Sequence, residues 1–468
     1  MTPPEDAFVA AVHARATQAL PPVTRERLAQ ALLDWFTAGW SGMAMPLAGC
    51  VQALAARSFP ARGTSPVFGA PPLVALGAGF ANAAIAHLRE IDDAHRTALL
   101  HPGVVAVSPV LALAAEQPLS RERIGAAIVA GYEVALRVGE ALGPGHAARF
   151  HGTATAGCLG AAAAAGGALG PPADGLHHAL GIAATQSAGL WQIIDDEAHE
   201  AKSLHPGFAV RNGMMAAFAS HAGLPGARAF LTGTRGLYTL LAGDGPLAAL
   251  AFAPDEPERI HTATIKAWPS CAMAFTALDA LQALMQEHGV QSHEVAALDI
   301  DIFPHALKIA SVDWPTKAAE APFSLKYLAA TLLLAGRVGI AEMEQPRLDD
   351  PAWRALAARI RVRGPEELQR GFPAKRPARV TLRLADGREL NALRELRRGD
   401  PEDPFDWPAL RARLRSFAPR IDDASAARVA AWCEAFAEPL GAPPSQPCPI
   451  DPSLFGPPAT AVSSQPSF

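Results

Sequence analysis

Residues 153–170 read TATAGCLGAAAAAGGALG, a run in which nearly every side chain is small. Small residues let neighbouring helices approach closely, so this segment is predicted to be a central helix of a bundle. Alanine-rich segments of similar texture, interrupted by Gly and Pro, extend from Pro4 to about Leu250. The first half of the chain is therefore predicted to be an all-helical domain.

The pattern changes after about His261, where β signals appear. VAALDIDIF (295–303), RIRVR (359–363) and the alternating ARVTLRLADGREL (378–390) with its Asp-Gly turn predict strands, with helical stretches between them. A helical pattern returns after Asp400, and the last segment is rich in Pro and Ser. The predicted fold is mainly α with a smaller α+β part: a helical domain over 1–262, an α+β domain over 263–400, a helical return over 401–438 and a disordered tail over 439–468.

The composition argues against several classes of protein. The chain has 468 residues, of which 50% are hydrophobic and 18% charged, as is typical of a globular protein. No apolar run reaches the ~20 residues that span a bilayer, and a net charge of −5 without a basic block argues against nucleic-acid and membrane partners. The five cysteines are far apart and show no CxxC spacing, which argues against disulfides and a zinc site. No export signal is readable, so a cytoplasmic location is predicted.

Three histidines share one local design. His101-Pro-Gly, His151-Gly-Thr and His205-Pro-Gly each place a histidine directly before a helix-start signal and a run of small or apolar residues. Unpaired backbone N–H groups and the helix dipole favour anions at such positions. If the three helix starts converge, they form a cradle for carboxylates. The alternative for each is an ordinary cap or a surface histidine.

Further polar groups stand close to these histidines. Glu90, Asp92, Asp93, His95 and Thr97 precede His101, and Lys202 precedes His205. The chain has only six lysines against 34 arginines, so Lys202 and Lys266 attract attention as proton carriers, a role that guanidinium does not fill. The alternatives are that the acids are ordinary helix-start residues and that Lys266 is a solvated strand end.

Several segments together resemble the MmgE/PrpD family, which includes 2-methylcitrate dehydratases, cis-aconitate decarboxylases and iminodisuccinate epimerases. They are HLREIDDAHRTALLHPG, FHGTATAGCLGAAAA, ALGIAATQSAGLW, KSLHPGFAVRNG and GDPEDP, and they occur in the family's order over nearly the whole chain. The resemblance implies a helical domain formed by both chain ends, an inserted α+β lid and a homodimer. It also implies the following active-site residues: Asp93, Thr97, His101, His151, Lys202, His205, Lys266 and Tyr327.

One segment departs from the family pattern. Where many members have Lys-Pro-Tyr-Pro-Ser-Cys-Arg followed by a His, this chain reads KAWPSCAMAF, with Ala272 and Phe275 at the Arg and His positions. Loss of an arginine removes a bidentate carboxylate clamp. The substrate is therefore expected to carry fewer carboxylates, or a different group at the position that the arginine binds in other members. Phe275 is expected to make that side of the site apolar.

These residues predict an enzyme that transfers protons beside a carboxylate of a small polycarboxylate, with no metal or organic cofactor. His151 and Lys202 are predicted to exchange protons, Asp93 to orient a histidine and Tyr327 to act as an acid. Binding of the carboxylates is predicted for His101, Thr97, His205 and Lys266. The first interpretation is a lyase, either a dehydratase or a decarboxylase. The alternatives are an epimerase that uses two bases, and a carboxylate-binding protein without catalysis.

Overall fold

The computed structural model describes residues 4–196, 198–241, 243–253, 256–439 and 446–458. The chain forms two compact units, one made of Met1–Ala263 with Arg420–Phe468 and the other of Thr264–Pro419. The first unit is mainly helical and the second is α+β, which confirms the predicted fold class. Among the described residues, no helix is both long enough and apolar enough to cross a bilayer.

The first unit is built around the alanine-rich segment quoted above. Its helices, numbered in chain order, are α1 Pro4–Thr17, α2 Pro22–Gly42, α3 Pro46–Ser58, α4 Ala75–His87, α5 Pro102–Glu116, α6 Arg121–Ala147, α7 Gly152–Leu169, α8 Ala173–Ala184, α9 Gln192–Asp195, α10 Leu204–His221 and α11 Leu237–Leu240. Nearly every residue of α7 is buried, and α7 packs against α5, α6, α8 and α10. A Cβ atom on Gly160 would lie 2.6 Å from the Cβ of Ala135 in α6. The prediction of a central small-residue helix is thus confirmed.

The first unit also contains a short hairpin that the sequence did not predict. Strands β1 Ser65–Val67 and β2 Ala70–Leu73 pair antiparallel across a turn at Gly69, whose φ is +63°. Asn82 of α4 accepts from the backbone N–H of Phe68 and donates to the carbonyl of Pro66. The prediction of an all-helical domain is therefore wrong here, because an asparagine on a neighbouring helix stabilises strands too short to show alternation.

The second unit is a four-stranded sheet packed with helices. Its elements are α12 Phe275–His288, β3 Val295–Ile302, α13 Pro304–Ile309, α14 Leu325–Ala335, α15 Ile340–Glu344, α16 Pro351–Ala357, β4 Ile360–Arg363, β5 Ala378–Leu384, β6 Glu389–Arg394 and α17 Trp407–Phe417. The strand order is β4-β3-β5-β6, with β3 parallel to β4 and antiparallel to β5. The predicted Asp-Gly turn joins β5 to β6, with Gly387 at φ +90°.

The GDPEDP segment, residues 399–404, is held by buried hydrogen bonds within the second unit. The Asp400 carboxylate accepts from Arg397 and from the Thr264 hydroxyl at 2.7 and 2.6 Å, and all three side chains are buried. A Cβ atom on Gly399 would lie 1.8 Å from the carbonyl oxygen of Ile265, so glycine is required at this contact. The motif therefore joins Gly399 and Asp400 to the first residues of the unit, Thr264 and Ile265.

The predicted helical return over 401–438 spans both units. Helix α17 belongs to the second unit, where Arg413 donates to the carbonyl of Lys266 at 2.6 Å. The chain re-enters the first unit at Arg420, and α18, Asp423–Glu434, packs against α2 with the Trp432 and Phe36 ring centroids 5.6 Å apart. Helical periodicity alone predicted α17 but not the unit to which it belongs.

Part of the predicted disordered tail is ordered. Residues 446–458 include a 3-10 helix, Pro452–Phe455, in which Leu454 and Phe455 are buried. Trp40 donates to the carbonyl of Leu454 at 2.8 Å, and the Phe455 ring lies 4.9 Å from that of Phe68. Two apolar residues therefore anchor a segment whose Pro- and Ser-rich composition predicted disorder. Residues 440–445 and 459–468 of the predicted tail lie outside the described residues.

Candidate active site

A buried carboxylate in the first unit holds two histidines. Helix α4 ends at His87, whose Nδ1 lies 2.9 Å from Asp92 Oδ2. The Nδ1 of His101, at the start of α5, lies 3.1 Å from the same oxygen. Burial on its own raises the pKa of Asp92, but the charges and hydrogen bonds of His87 and His101 hold it well below the ordinary value. Asp92 is therefore an ionised acceptor that orients both rings.

A second pair of histidines lies beside the first. His151 Nδ1 is 3.0 Å from His205 Nδ1, and the His151 and His87 ring centroids are 5.7 Å apart. Two Nδ1 atoms at this distance share one proton. Burial, followed by the positive charge of Lys202, lowers the pKa of His151 well below its usual value. Burial and the nearby His87 and Lys202 lower the pKa of His205 to about 4, so both rings are neutral at pH 7.

Lys202 supplies the cation of the cluster. It lies in a 3-10 helix, His199–Ser203, directly before α10, and is 8% exposed. Its Nζ is 3.3 Å from His87 Nε2 and 2.7 Å from Glu90 Oε2. Glu90 has a left-handed backbone, with φ +53°, which is costly for a residue other than glycine and is found most often at functional sites.

The cluster thus combines one lysine with two neutral and two carboxylate-bound histidines. The indole ring of Trp191 lies 4.7 Å from the His151 ring and covers it. A neutral imidazole is a base and an ammonium is an acid, so the arrangement can both accept and donate protons. Ionisable groups whose environments push their pKa values apart are typical of active sites.

Two of the three predicted helix-start histidines are confirmed at that position. His101 and His151 are the N-cap residues of α5 and α7. His205 differs, because α10 begins one residue earlier at Leu204 and its N-cap is Ser203. The three histidines nevertheless lie in one cluster, with the His101 and His151 ring centroids 6.3 Å apart.

Asp93 makes its hydrogen bonds to groups other than the histidines, so its predicted role of orienting a histidine stays a prediction. Its Oδ1 accepts from the backbone N–H of Gly103 at 2.8 Å, and its Oδ2 accepts from the Tyr132 hydroxyl at 2.6 Å. Its own N–H donates to Asp34. Asp92 makes the direct contacts to His87 and His101. The sequence alone did not show which of the two acids faces the histidines.

Thr97 belongs to a different group of hydrogen bonds. Its hydroxyl donates to Glu140 at 3.0 Å and lies 3.3 Å from His95 Nδ1, and the residue is exposed. Within the described part of the chain, these side-chain hydrogen bonds do not reach the histidine cluster. Its predicted role in substrate binding therefore stays a prediction.

His87 and Trp191 are the members of the cluster that sequence reasoning missed. His87 ends an apolar helix, and it is the only ionisable residue of α4. The sequence did contain one signal for His87, because it is an isolated histidine in an apolar helix and lies five residues before Asp92. Trp191 lies in the ALGIAATQSAGLW segment, where nothing local marks a tryptophan as part of a site.

Lys266 and Tyr327 lie in the second unit, where each is buried. The Tyr327 hydroxyl donates to the carbonyl of Glu342 at 3.0 Å and accepts from the N–H of Arg347 at 3.3 Å. To act as an acid, this hydroxyl must leave its bond to Glu342. Phe275 packs in the hydrophobic core of the second unit, which corrects the expectation that it forms an apolar wall for substrate.

His87, Asp92 and His101 also have the spacing of a metal site. One ligand atom from each lies within 4.8 Å of the others. His87 Nδ1 is hydrogen-bonded to Asp92 Oδ2, and Lys202 places a positive charge 3.3 Å from His87 Nε2. This charge opposes a cation, so the three residues fit a hydrogen-bonded group better than a metal centre.

Sequence comparison identifies the family. The profile of the MmgE/PrpD N-terminal domain matches residues 6–249, and that of the MmgE/PrpD C-terminal domain matches residues 268–436. The chain belongs to the MmgE/PrpD family. The histidine cluster lies entirely within the part that matches the MmgE/PrpD N-terminal domain.

Several named proteins are similar along most of this MmgE/PrpD chain. A cis-aconitate decarboxylase of Aspergillus terreus is 26% identical over 442 residues, which cover 88% of each protein. The human cis-aconitate decarboxylase is 24% identical over 435 residues, covering 89% of this chain and 88% of the human protein. The mouse cis-aconitate decarboxylase is 24% identical over 372 residues, covering 76% of this chain and 74% of the mouse protein.

Proposed function

We propose that this protein is a cofactor-independent lyase of a small di- or tricarboxylate, and that its reaction is decarboxylation of an unsaturated acid such as cis-aconitate. The observation that supports the proposal most directly is the buried Lys202, held 3.3 Å from His87 Nε2 beside the neutral pair His151 and His205. The similarity to cis-aconitate decarboxylases over 88% of the chain favours this carboxy-lyase over other reactions of the family.

Decarboxylation of such an acid needs two things from the protein. When the C–C bond to the departing carboxylate breaks, its electron pair moves into the unsaturated system and negative charge develops beside a remaining carboxylate. A carbon atom must then take a proton. Preorganised cations and helix N-termini stabilise the developing charge, and a positioned acid supplies the proton.

The cluster offers groups for both requirements. The N-termini of α5 and α7 meet at His101 and His151, so backbone N–H groups and the helix dipoles favour a carboxylate there. Lys202 is the proposed proton donor, because it is the ammonium inside the cluster. Decarboxylation consumes one proton, so Lys202 must be reprotonated after each turnover. His151, kept neutral, is the proposed relay that accepts a proton from solvent and passes it to Lys202. The roles of Lys266 and Tyr327 stay predictions that rest on the family resemblance.

The same acid and base favour a second candidate. A neutral imidazole can also remove a proton from carbon. The ammonium can then protonate a departing hydroxyl, as in a dehydratase, or the same carbon, as in an epimerase. The low pKa of His151 is the observation behind this candidate. The decarboxylase reaction uses the imidazole only to pass a solvent proton to Lys202, whereas the other two reactions require it to take a proton from carbon.

Proton NMR in D₂O separates these possibilities with one set of substrates. The purified protein is incubated with cis-aconitate, citrate, 2-methylcitrate and iminodisuccinate, and signals and CO₂ release are followed over time. Loss of CO₂ from cis-aconitate supports the proposal. Loss of water identifies a dehydratase, and deuterium exchange or inversion alone identifies an epimerase. Either of those results, or ligand-induced shifts without turnover, overturns the decarboxylase assignment.

Substitution at two positions tests the assignment of residues. Lys202→Met and His151→Gln each remove a proton carrier, and turnover is expected to fall about 100-fold or more for each. Lys308→Met is the matched control, because Lys308 is an exposed lysine of α13 in the second unit. Near-wild-type turnover in both Lys202→Met and His151→Gln contradicts the assignment.

A further inference from the structure

A second group of buried polar side chains lies at the start of α5, next to the histidine cluster. Asp93 is 2% exposed, and the Tyr132 hydroxyl of α6 donates to its Oδ2 at 2.6 Å. The Asp93 N–H donates to Asp34 of α2 at 2.9 Å. The proposed chemistry uses none of these three side chains. Asp93 nevertheless joins the loop before α5 to α2, α5 and α6.

The contact between Asp93 and α5 replaces a missing cap. His101 is the N-cap of α5 but makes no side-chain capping hydrogen bond, because its ring is directed to Asp92. The first N–H groups of a helix need acceptors from outside the helix. Asp93 Oδ1 accepts from the N–H of Gly103 at 2.8 Å and so supplies one.

Gly103 shows how close this contact is. A Cβ atom at position 103 would lie 2.7 Å from Asp93 Oδ1 and 2.9 Å from the Tyr132 hydroxyl oxygen. Real Cβ atoms are not found so close to neighbouring atoms, so any side chain at 103 must displace the carboxylate or the phenol. The N-terminus of α5 can approach Asp93 only because residue 103 is glycine.

Two successive acids therefore hold one helix start from two sides. Asp92 binds the side chain of His101, and Asp93 binds the backbone two residues further along the helix. Tyr132 in turn fixes the second oxygen of Asp93. Because the Cα of His101 and the N–H of Gly103 belong to the same turn, a shift of Asp93 moves the His101 ring relative to Asp92.

We infer that Asp93 and Tyr132 are positioning residues of the active site, which act by fixing the first turn of α5 so that His101 meets Asp92. In the described hydrogen bonds, neither side chain contacts Lys202 or a histidine of the cluster. The inference rests on the proposed function for its effect on turnover, but the position of the His101 ring is observable without any substrate. A displacement of about 1 Å at a reacting group can lower turnover by up to about 100-fold.

Two substitutions with matched controls test the inference. Tyr132→Phe removes only the hydroxyl, and Tyr238→Phe is its control, since the Tyr238 hydroxyl donates to the Gly245 carbonyl elsewhere in the same unit. Gly103→Ala introduces the Cβ that meets Asp93, and Gly49→Ala is its control. Gly49 also lies near the start of a helix, α3, and a Cβ atom added there would enter open space.

Two measurements are made on each variant of the full-length protein. The first is the histidine side-chain NMR spectrum, with the His101 resonance assigned by its loss in His101→Asn. The second is the separation of kcat from KM on the substrate identified above. Tyr132→Phe and Gly103→Ala are expected to shift the His101 resonance and to lower kcat about 10-fold, with KM changed less than about twofold. Both controls are expected to match the wild type.

The outcomes are distinct for the two proposals. An unshifted His101 resonance in Tyr132→Phe and Gly103→Ala overturns the positioning role, even if both variants melt at a lower temperature. A shifted resonance in a protein that turns over no tested substrate supports the positioning role and removes the proposed function. If either variant does not fold, Asp93→Asn is measured in the same way. Asparagine keeps the shape of the side chain and an oxygen for Gly103, so this variant is the mildest test of the contact.

Discussion

Acidification should weaken the fold through His205, and the effect can be isolated by replacing this residue with glutamine. Burial, His87 and Lys202 lower the pKa of His205 to about 4 in the folded protein. In the unfolded chain a histidine has a pKa of about 6.5. The unfolded chain therefore binds the proton more readily. The free energy of unfolding is therefore not reduced by His205 above about pH 6.5, and it decreases as the pH falls toward 4.

The size of the effect follows from these two pKa values. At pH 5.0 the difference in proton binding corresponds to about 2 kcal/mol of lost stability for a fully buried ring. His205 is only partly buried, and solvent screening reduces this to about 1 kcal/mol. His205→Gln removes the titrating group, so the variant should lose about 1 kcal/mol less stability than the wild type between about pH 7.5 and pH 5.0.

Urea unfolding followed by circular dichroism at both pH values measures the difference. His221→Gln is the control, because His221 is exposed at the other end of the same helix, α10. The control should lose as much stability as the wild type. If His205→Gln also loses as much as the wild type, the ring of His205 is not held neutral by its surroundings and the base assignment in this cluster loses its support.

Two further substitutions probe the acids of each unit. Asp92→Asn removes the charge that holds His101, and turnover should fall at least about 10-fold in the NMR assay. Unchanged turnover would show that Asp92 does not orient the histidines. Asp400→Asn breaks its buried pair with Arg397 and should destabilise the second unit by about 3 kcal/mol in urea unfolding. Glu395→Gln, which breaks an exposed pair, should cost less than about 1 kcal/mol, and equal losses for the two variants would refute this account of the GDPEDP segment.

The fold was largely predictable because its main signals are local. The small residues of 153–170 predicted α7, and alternation with an Asp-Gly turn predicted β5 and β6. The hairpin β1–β2 escaped prediction because its strands have three and four residues and depend on Asn82 of another helix. Helix α17 was predicted, but its membership of the second unit depends on tertiary contacts such as that between Arg413 and Lys266.

The site was predictable where a residue carries a local signal. His101 and His151 were found because Pro or Gly directly after each histidine marks a helix start in the sequence itself. His87 ends its helix without any such mark. The direct contact of Asp92, and not Asp93, with the histidines was hard to predict for a different reason, since both are acids at adjacent positions. Asp93 is held away from the histidines by the Tyr132 hydroxyl of α6 and by the Gly103 N–H of α5. Neither contact is visible in the residues next to Asp93.

Four histidines of one chemical type are thus divided by their surroundings into two kinds. His87 and His101 share the ionised carboxylate of Asp92, whose Oδ2 lies 2.9 Å from the Nδ1 of His87 and 3.1 Å from that of His101. His151 and His205 instead share one proton between their Nδ1 atoms, while burial and the Lys202 ammonium disfavour a second. The positions of one acid and one lysine therefore determine which imidazoles can accept a proton from a substrate.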